Sequence, residues 1–171
     1  MNLKSLNALP AAEASQEFLK CCGSSRWAAA MTERRPYESL DELTRAANDM
    51  WWALEQSDWL EAFHSHPRIG ERLGEKKAAD RVSAQSKQWS GQEQAGVQIA
   101  TQKTLDSLAQ LNQDYEQKFG FIFIVCATGK SAAEMLELLR ERVGNEPDAE
   151  LRIASAEQAK ITEIRLKKLV H

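Results

Sequence analysis

The chain has 171 residues, of which 43% are hydrophobic and 27% charged, and its formal net charge is −3. That length suits one globular domain with a core of its own, and the balance excludes a disordered chain. The slight negative charge offers no clustered basic face of the kind that nucleic acid requires.

The predicted elements, in chain order, are mostly helices. Met1-Asn2-Leu3-Lys4 lacks the apolar core of a secretory leader. Cys21 and Cys22 are adjacent, and with Cys126 they make an odd count. That argues against a disulfide framework and for a reducing compartment. Arg34-Arg35-Pro36-Tyr37 reads as a turn, with an anion contact as the other reading. Ser39-Leu40-Asp41-Glu42 is a capping box that opens a helix to about Leu54. Ser57 is placed to cap a short helix carrying Trp59, Leu60 and Phe63.

His66-Pro67 follows that helix. Proline pushes the residue before it out of helical conformation, so His66 is expected at a helix exit. Two readings stand there: a histidine closing a helix, or a general acid or base. His64-x-His66 invites a metal reading, but no Asp, Glu or Cys cluster at ligand spacing accompanies it, and His64 is expected at the surface.

Ser90-Gly91-Gln92-Glu93 matches a second capping box. It is expected to start a long helix to about Lys118, with Val97, Thr101, Leu105, Leu108, Leu111 and Tyr115 on one face. Glu93 is then either the box's own carboxylate or a partner that orients His66. Ser90 and Gln94 are four apart and share a face, at a helix start whose free amides favour anionic groups. Phe121-Ile122-Phe123-Ile124-Val125-Cys126-Ala127 is short, apolar and rich in aromatic and β-branched residues, between Gly120 and Gly129. It predicts an extended buried segment. No second strand is evident, so its backbone groups need partners other than a ladder.

Ser131-Ala132-Ala133-Glu134 is a third box, for a helix to Val143, and Pro147 begins the last helix. That helix carries a stripe of Ala154, Gln158, Ile161, Arg165 and Leu169. Arg165 is expected at the margin of the buried face, either covering apolar surface with its stem or gripping a carboxylate or carbonyl. His171 reads as a frayed end. The tryptophans Trp27, Trp51, Trp52, Trp59 and Trp89 are scattered as packing residues, not as a base-stacking platform. No stretch approaches the roughly 20 apolar residues of a membrane span. The expectation is an all-α protein: one helical-bundle domain over residues 1–171, with one short extended crossing segment, in the cytoplasm.

In order, Arg35-Pro36-Tyr37, His66-Pro67-Arg68-Ile69-Gly70 and Ser90-x-x-Glu93-Gln94-Ala95-Gly96 form the first part of a pattern. Leu111-Asn112-x-x-Tyr115-x-x-Lys118-Phe119-Gly120-Phe121-x-Phe123-Ile124 and Lys160-Ile161-x-x-Ile164-Arg165-Leu166 complete it. The ordered set resembles the 2-oxo-4-hydroxy-4-carboxy-5-ureidoimidazoline (OHCU) decarboxylases. The resemblance implies an all-α homodimer with no metal and no organic cofactor, which turns OHCU into (S)-allantoin in urate degradation. Position by position it makes His66 the catalytic histidine and Glu93 the carboxylate that works with it. It places Pro67, Ser90, Gln94, Phe123, Ile124, Val125, Cys126, Ala127 and Arg165 against the substrate. Ile122 stands where many members have proline, and the stretch from Gly70 to Ser90 is longer than in some.

The implied chemistry needs no cofactor, because the substrate's ring carbonyl can take up the electrons that CO₂ leaves behind. Candidate donors to the developing charge are the backbone amides of residues 123–127 and the Ser90 helix start. A carboxylate beside His66 would favour its cation. The rival readings are a non-enzymatic helical interaction module and a metal-dependent hydrolase using His64 and His66.

Overall fold

The computed structural model describes residues 1–69, 84–95 and 101–171, and among these there are nine helices and no strand. The helices are α1 (Leu3–Ala8), α2 (Ala11–Cys22), α3 (Ser25–Glu33), α4 (Leu40–Trp52), α5 (Gln56–His64), α6 (Ala84–Glu93), α7 (Gln102–Phe119), α8 (Ala132–Val143) and α9 (Pro147–Leu169). They fall into two compact units. The first comprises Met1–Ala62 with Gln158–His171, the second Phe63–Glu157.

In the first unit, α1 to α3 have sequence signals that the pattern of boxes did not reveal. Asn2 caps α1 by accepting from the Ser5 N–H, and Ser24 caps α3 by accepting from Trp27. Between them α2 ends on Gly23, whose φ of 86° suits a residue without a Cβ. α2 packs on α3 and α3 on α4, burying Leu6, Phe18, Trp27, Met31, Tyr37, Leu43 and Trp51. Polar atoms of this core are paired. The Trp27 indole donates to the Ala47 carbonyl at 3.0 Å and the Tyr37 hydroxyl to Met31 O at 2.8 Å.

Arg35 is a turn residue with a structural task. Its guanidinium donates to the carbonyls of Leu6, Leu9 and Thr32 at 2.8, 2.9 and 3.1 Å, closing helix ends whose carbonyls lack intrahelical partners. His171 is not frayed: its N–H donates to Met1 O, and the Met1 amino group donates to Leu169 O. Trp52 departs from the packing expectation in part, being 41% exposed while its ring meets Trp59 edge-on.

Helix starts follow the sequence with adjustments. Ser39 caps α4, but Glu42 reaches past it to the Glu38 N–H and pairs with Arg34. Ser57 lies inside the first turn of α5, and Asp58 instead accepts from the Glu55 N–H. In the second unit Ser131 and Glu134 form the full reciprocal box at the start of α8. The Glu134 carboxyl is held below the usual carboxylate range, chiefly by the Ser131 backbone N–H. The box therefore contributes at neutral pH and is lost as pH falls through that lowered value. Ser131→Ala should cost about 1 kcal/mol in chemical denaturation at pH 7.

The second capping box is overturned. Ser90 and Glu93 lie in the last turn of α6, and the Ser90 carbonyl accepts from the Gln94 N–H at 3.1 Å. The chain from Ala84 onward is itself helical, so the Ser90 amide is no helix start and offers no free N-terminal donors. The long helix expected from Ser90 is in fact α7, capped by Thr101 and ending on Gly120 with φ 78°. Of its expected face, Leu108 and Tyr115 are buried, Thr101 is the exposed cap, and Val97 lies outside the described residues. α7 packs on α8. Between them residues 121–127 adopt neither helix nor strand, and Phe63, Tyr115, Phe119, Phe121 and Phe123 cluster with ring centroids 4.6–6.0 Å apart.

Candidate functional site

His66 sits just beyond α5, half-buried, with its N–H donating to Phe63 O at 3.1 Å. That places it at the helix exit expected from the following proline. Both flanks are anchored in the second unit. Upstream, Phe63 is fully buried and its ring packs on Phe121 at 5.4 Å. Downstream, Arg68 forks onto both oxygens of Glu116 at 2.8–3.0 Å, and Asn112 donates to the Ile69 carbonyl at 3.1 Å. A fork of this kind fixes orientation as well as distance. Pro67, half-buried, rides between the two anchors. Gly70 and most of the stretch to Ser90 lie outside the described residues. His64, the last residue of α5, is exposed. Among the described residues no three His, Cys, Asp or Glu side chains are grouped to hold a metal ion.

The end of α6 supplies Ser90 and Glu93, both buried, and the half-buried Gln94 follows it. Glu93 is 8% exposed. Its charge acts on the Cys126 thiol, which burial first and the charge of Glu157 next push up.

That segment is buried throughout its sequence-predicted part: Phe123, Ile124, Val125, Cys126 and Ala127 are all at most 8% exposed. With no ladder to join, its polar groups are met by side chains. The Ile124 carbonyl accepts from Arg142 at 2.7 Å, the Cys126 N–H donates to Glu157 at 2.7 Å, and the Cys126 carbonyl accepts from Lys130 at 2.7 Å. Arg142 also stands over the Phe123 ring, 4.6 Å from its centroid. Arg142 is itself held by Glu150 through two bonds of 2.8 and 2.6 Å, and Glu150 further accepts from the Tyr115 hydroxyl and from Asn145. Sequence reasoning missed Arg142, Glu150, Glu157 and Lys130. One signal was available: Ala132, Met135, Leu139 and Arg142 repeat at helical spacing and are all buried.

Arg165 belongs to the first unit. It is 2% exposed, so it lies inside the buried face rather than at its margin, and Ala154, Gln158, Ile161 and Leu169 of its stripe are buried too. The Cys21 and Cys22 thiols feel its charge. Burial pushes both thiols up, Cys22 to about 12, while the cation of Arg165 opposes the shift. Arg165 thus carries a guanidinium into the buried face of the first unit.

Comparison with known proteins identifies the family and the fold. The sequence model of the OHCU decarboxylase family matches residues 7–167. The uric acid degradation bifunctional protein TTL of Arabidopsis thaliana is 42% identical over 158 residues, covering 90% of this chain and 46% of that protein. The chain thus spans about half the length of this bifunctional relative. The 2-oxo-4-hydroxy-4-carboxy-5-ureidoimidazoline decarboxylase of Amia calva is 27% identical, covering 99% of this chain and 95% of its own. A crystal structure of OHCU decarboxylase in the presence of (S)-allantoin superposes with a TM-score of 0.76 at 40% identity, covering 90% of this chain and 96% of that one. An ordered helical fold, a histidine at a helix exit and a match over nearly the whole chain converge: this chain belongs to the OHCU decarboxylase family.

Proposed function

We propose that this protein decarboxylates OHCU to (S)-allantoin in urate degradation, as a cytoplasmic homodimer. The observation that carries the activity is the 40% identity, over 90% of the chain, to an OHCU decarboxylase solved with (S)-allantoin. The family match crosses both units, which supports reading residues 1–171 as one functional domain. The cytoplasmic placement rests on three cysteines that form no disulfide, and the dimer on the family resemblance alone.

In this reading the bond between the carboxylate carbon and the ring carbon breaks. CO₂ leaves, and the electron pair spreads into the neighbouring ring carbonyl as an enolate-like species. A proton then returns to that carbon on one face, which sets the stereochemistry. His66, with Glu93 as its partner, delivers that proton or stabilises the charge that precedes it. Arg165 supplies a guanidinium for a carboxylate or carbonyl of the substrate. Pro67, Ser90 and Gln94 contribute side-chain and backbone surface. The donors to the enolate come from the backbone of residues 123–127, since Ser90 starts no helix.

The test is direct. Substrate formed in situ from urate by urate oxidase and 5-hydroxyisourate hydrolase should disappear faster with this protein than without it, and circular dichroism should report one allantoin enantiomer. Unchanged OHCU decay would overturn the assignment.

A further inference from the structure

Planar trans peptides make the three side-chain contacts to residues 124–126 more informative than their lengths. In a trans peptide the N–H and C=O point in opposite directions, and the peptides of this segment are trans. Arg142 holds the Ile124 carbonyl, so the Val125 N–H points the other way. Glu157 holds the Cys126 N–H, so the Val125 carbonyl points away from Glu157. Lys130 holds the Cys126 carbonyl, so the Ala127 N–H points away from Lys130. Three successive peptide planes are thereby oriented by three charged side chains.

The groups left over are the informative ones. Val125 and Ala127 are 5% and 4% exposed, yet among the described residues the Val125 N–H, the Val125 carbonyl and the Ala127 N–H meet no hydrogen-bond partner. Buried backbone groups without partners are rare, because each loses its water without compensation. Here an acceptor and two donors are aimed away from a clamp that is itself complete. The Glu93 carboxylate acts on Cys126, the residue at the centre of the clamp.

We propose that Glu157, Arg142 and Lys130 are positioning residues, which turn the 124–127 backbone so that the Val125 and Ala127 N–H groups are the donors offered to substrate. This rests on the OHCU decarboxylase reading above. It replaces a general role for all the amides of residues 123–127 with a specific register, in which the Cys126 N–H is spent on Glu157 and takes no part in binding. None of the three clamping side chains touches substrate. Each acts through the backbone.

Glu157 is the member to vary, since it is half-buried where Arg142 is almost wholly buried. Glu157→Ala removes the acceptor, whereas Glu157→Gln keeps an oxygen for the same N–H. Glu157→Ala should lower kcat at least tenfold with a smaller change in KM, because donors fixed in advance stabilise charge in the transition state more than they bind the ground state. Glu157→Gln should return to within about threefold of the wild type, the rescue that a conserved acceptor predicts.

Amide hydrogen exchange reads the register without reference to turnover. In the free protein the Cys126 amide should be protected, and it should lose protection in Glu157→Ala. Added (S)-allantoin should slow exchange at Val125 and Ala127 and leave Cys126 unchanged. If Glu157→Ala retains full kcat, or if allantoin protects Cys126 in preference to Val125 and Ala127, the clamp is overturned. If the wild type fails to consume OHCU, the activity reading falls, and the exchange pattern of Cys126 against its neighbours still decides the clamp.

Discussion

His66→Ala is expected to lower kcat/KM for OHCU by two orders of magnitude or more while leaving the fold intact, the usual scale for a positioned acid or base. The separation of activity from stability follows from where His66 sits. It is half-buried beyond the end of α5, while the packing on either side is done by others. Phe63 fills the core, Arg68 is forked onto Glu116, and Asn112 holds the Ile69 carbonyl. Removing the imidazole leaves all of these in place, so the thermal midpoint should move by a few degrees at most. His66→Asn keeps a hydrogen-bond donor and acceptor but cannot exchange a proton at neutral pH. If His66 delivers the proton, Asn should be as impaired as Ala. If His66 stabilises charge by donating a hydrogen bond, Asn should recover part of the rate. A His66→Ala protein with wild-type kcat/KM would remove the histidine from the mechanism.

The elements that the sequence disclosed best are those set by local chemistry. The box at Ser131 and Glu134, the helix from Pro147 and the histidine before Pro67 all depend on residues within four positions of one another, and all three appear as expected. Ser90 shows the limit of that logic. Ser90-x-x-Glu93 has the composition of a helix start, but a box requires a non-helical residue at its first position, and the helix already under way from Ala84 denies it that. Competition between neighbouring segments decided the outcome, and the four residues alone carry no record of it.

The candidate site divides along the same line. His66, Glu93 and the apolar run at 121–127 are visible because their types are unusual for their places. The hydrogen-bond partners of that run are invisible to local pattern, since Arg142 and Glu157 come from two different helices, and their separations from it in sequence carry no motif. Arg142 alone falls on a helical stripe of buried residues. The stripe argument marked Arg165 on α9, and applied to α8 it would have marked Arg142, in both cases an arginine at the register of a core residue. What the stripe cannot tell is the task. Both cations are buried; Arg142 is held by Glu150, and the charge of Arg165 is felt by the Cys21 and Cys22 thiols.

Glu150→Ala should be the most destabilising of the simple truncations, costing about 3–5 kcal/mol. For a chain of this length that corresponds to a fall in thermal midpoint of roughly 10 °C or more. Glu150 is fully buried and collects four donated bonds, two from Arg142, one from Tyr115 and one from Asn145. Its loss strands the Arg142 cation in the core with the Ile124 carbonyl and the Phe123 ring as its remaining company, and an unpaired buried charge is what makes breaking such a pair expensive. Tyr115→Phe removes one donor of the four and should cost only about 1 kcal/mol. The informative variant replaces the whole network, combining Tyr115→Phe, Arg142→Met and Glu150→Leu. Apolar replacement of a buried ion pair is often neutral for stability, so this protein should recover most of the stability lost in Glu150→Ala. It should not recover activity, because the Ile124 carbonyl then lacks the donor that orients the Val125 N–H. Denaturation midpoints and kcat measured on the same three proteins would separate the two roles. Recovery of both together would show that Arg142 serves the fold alone.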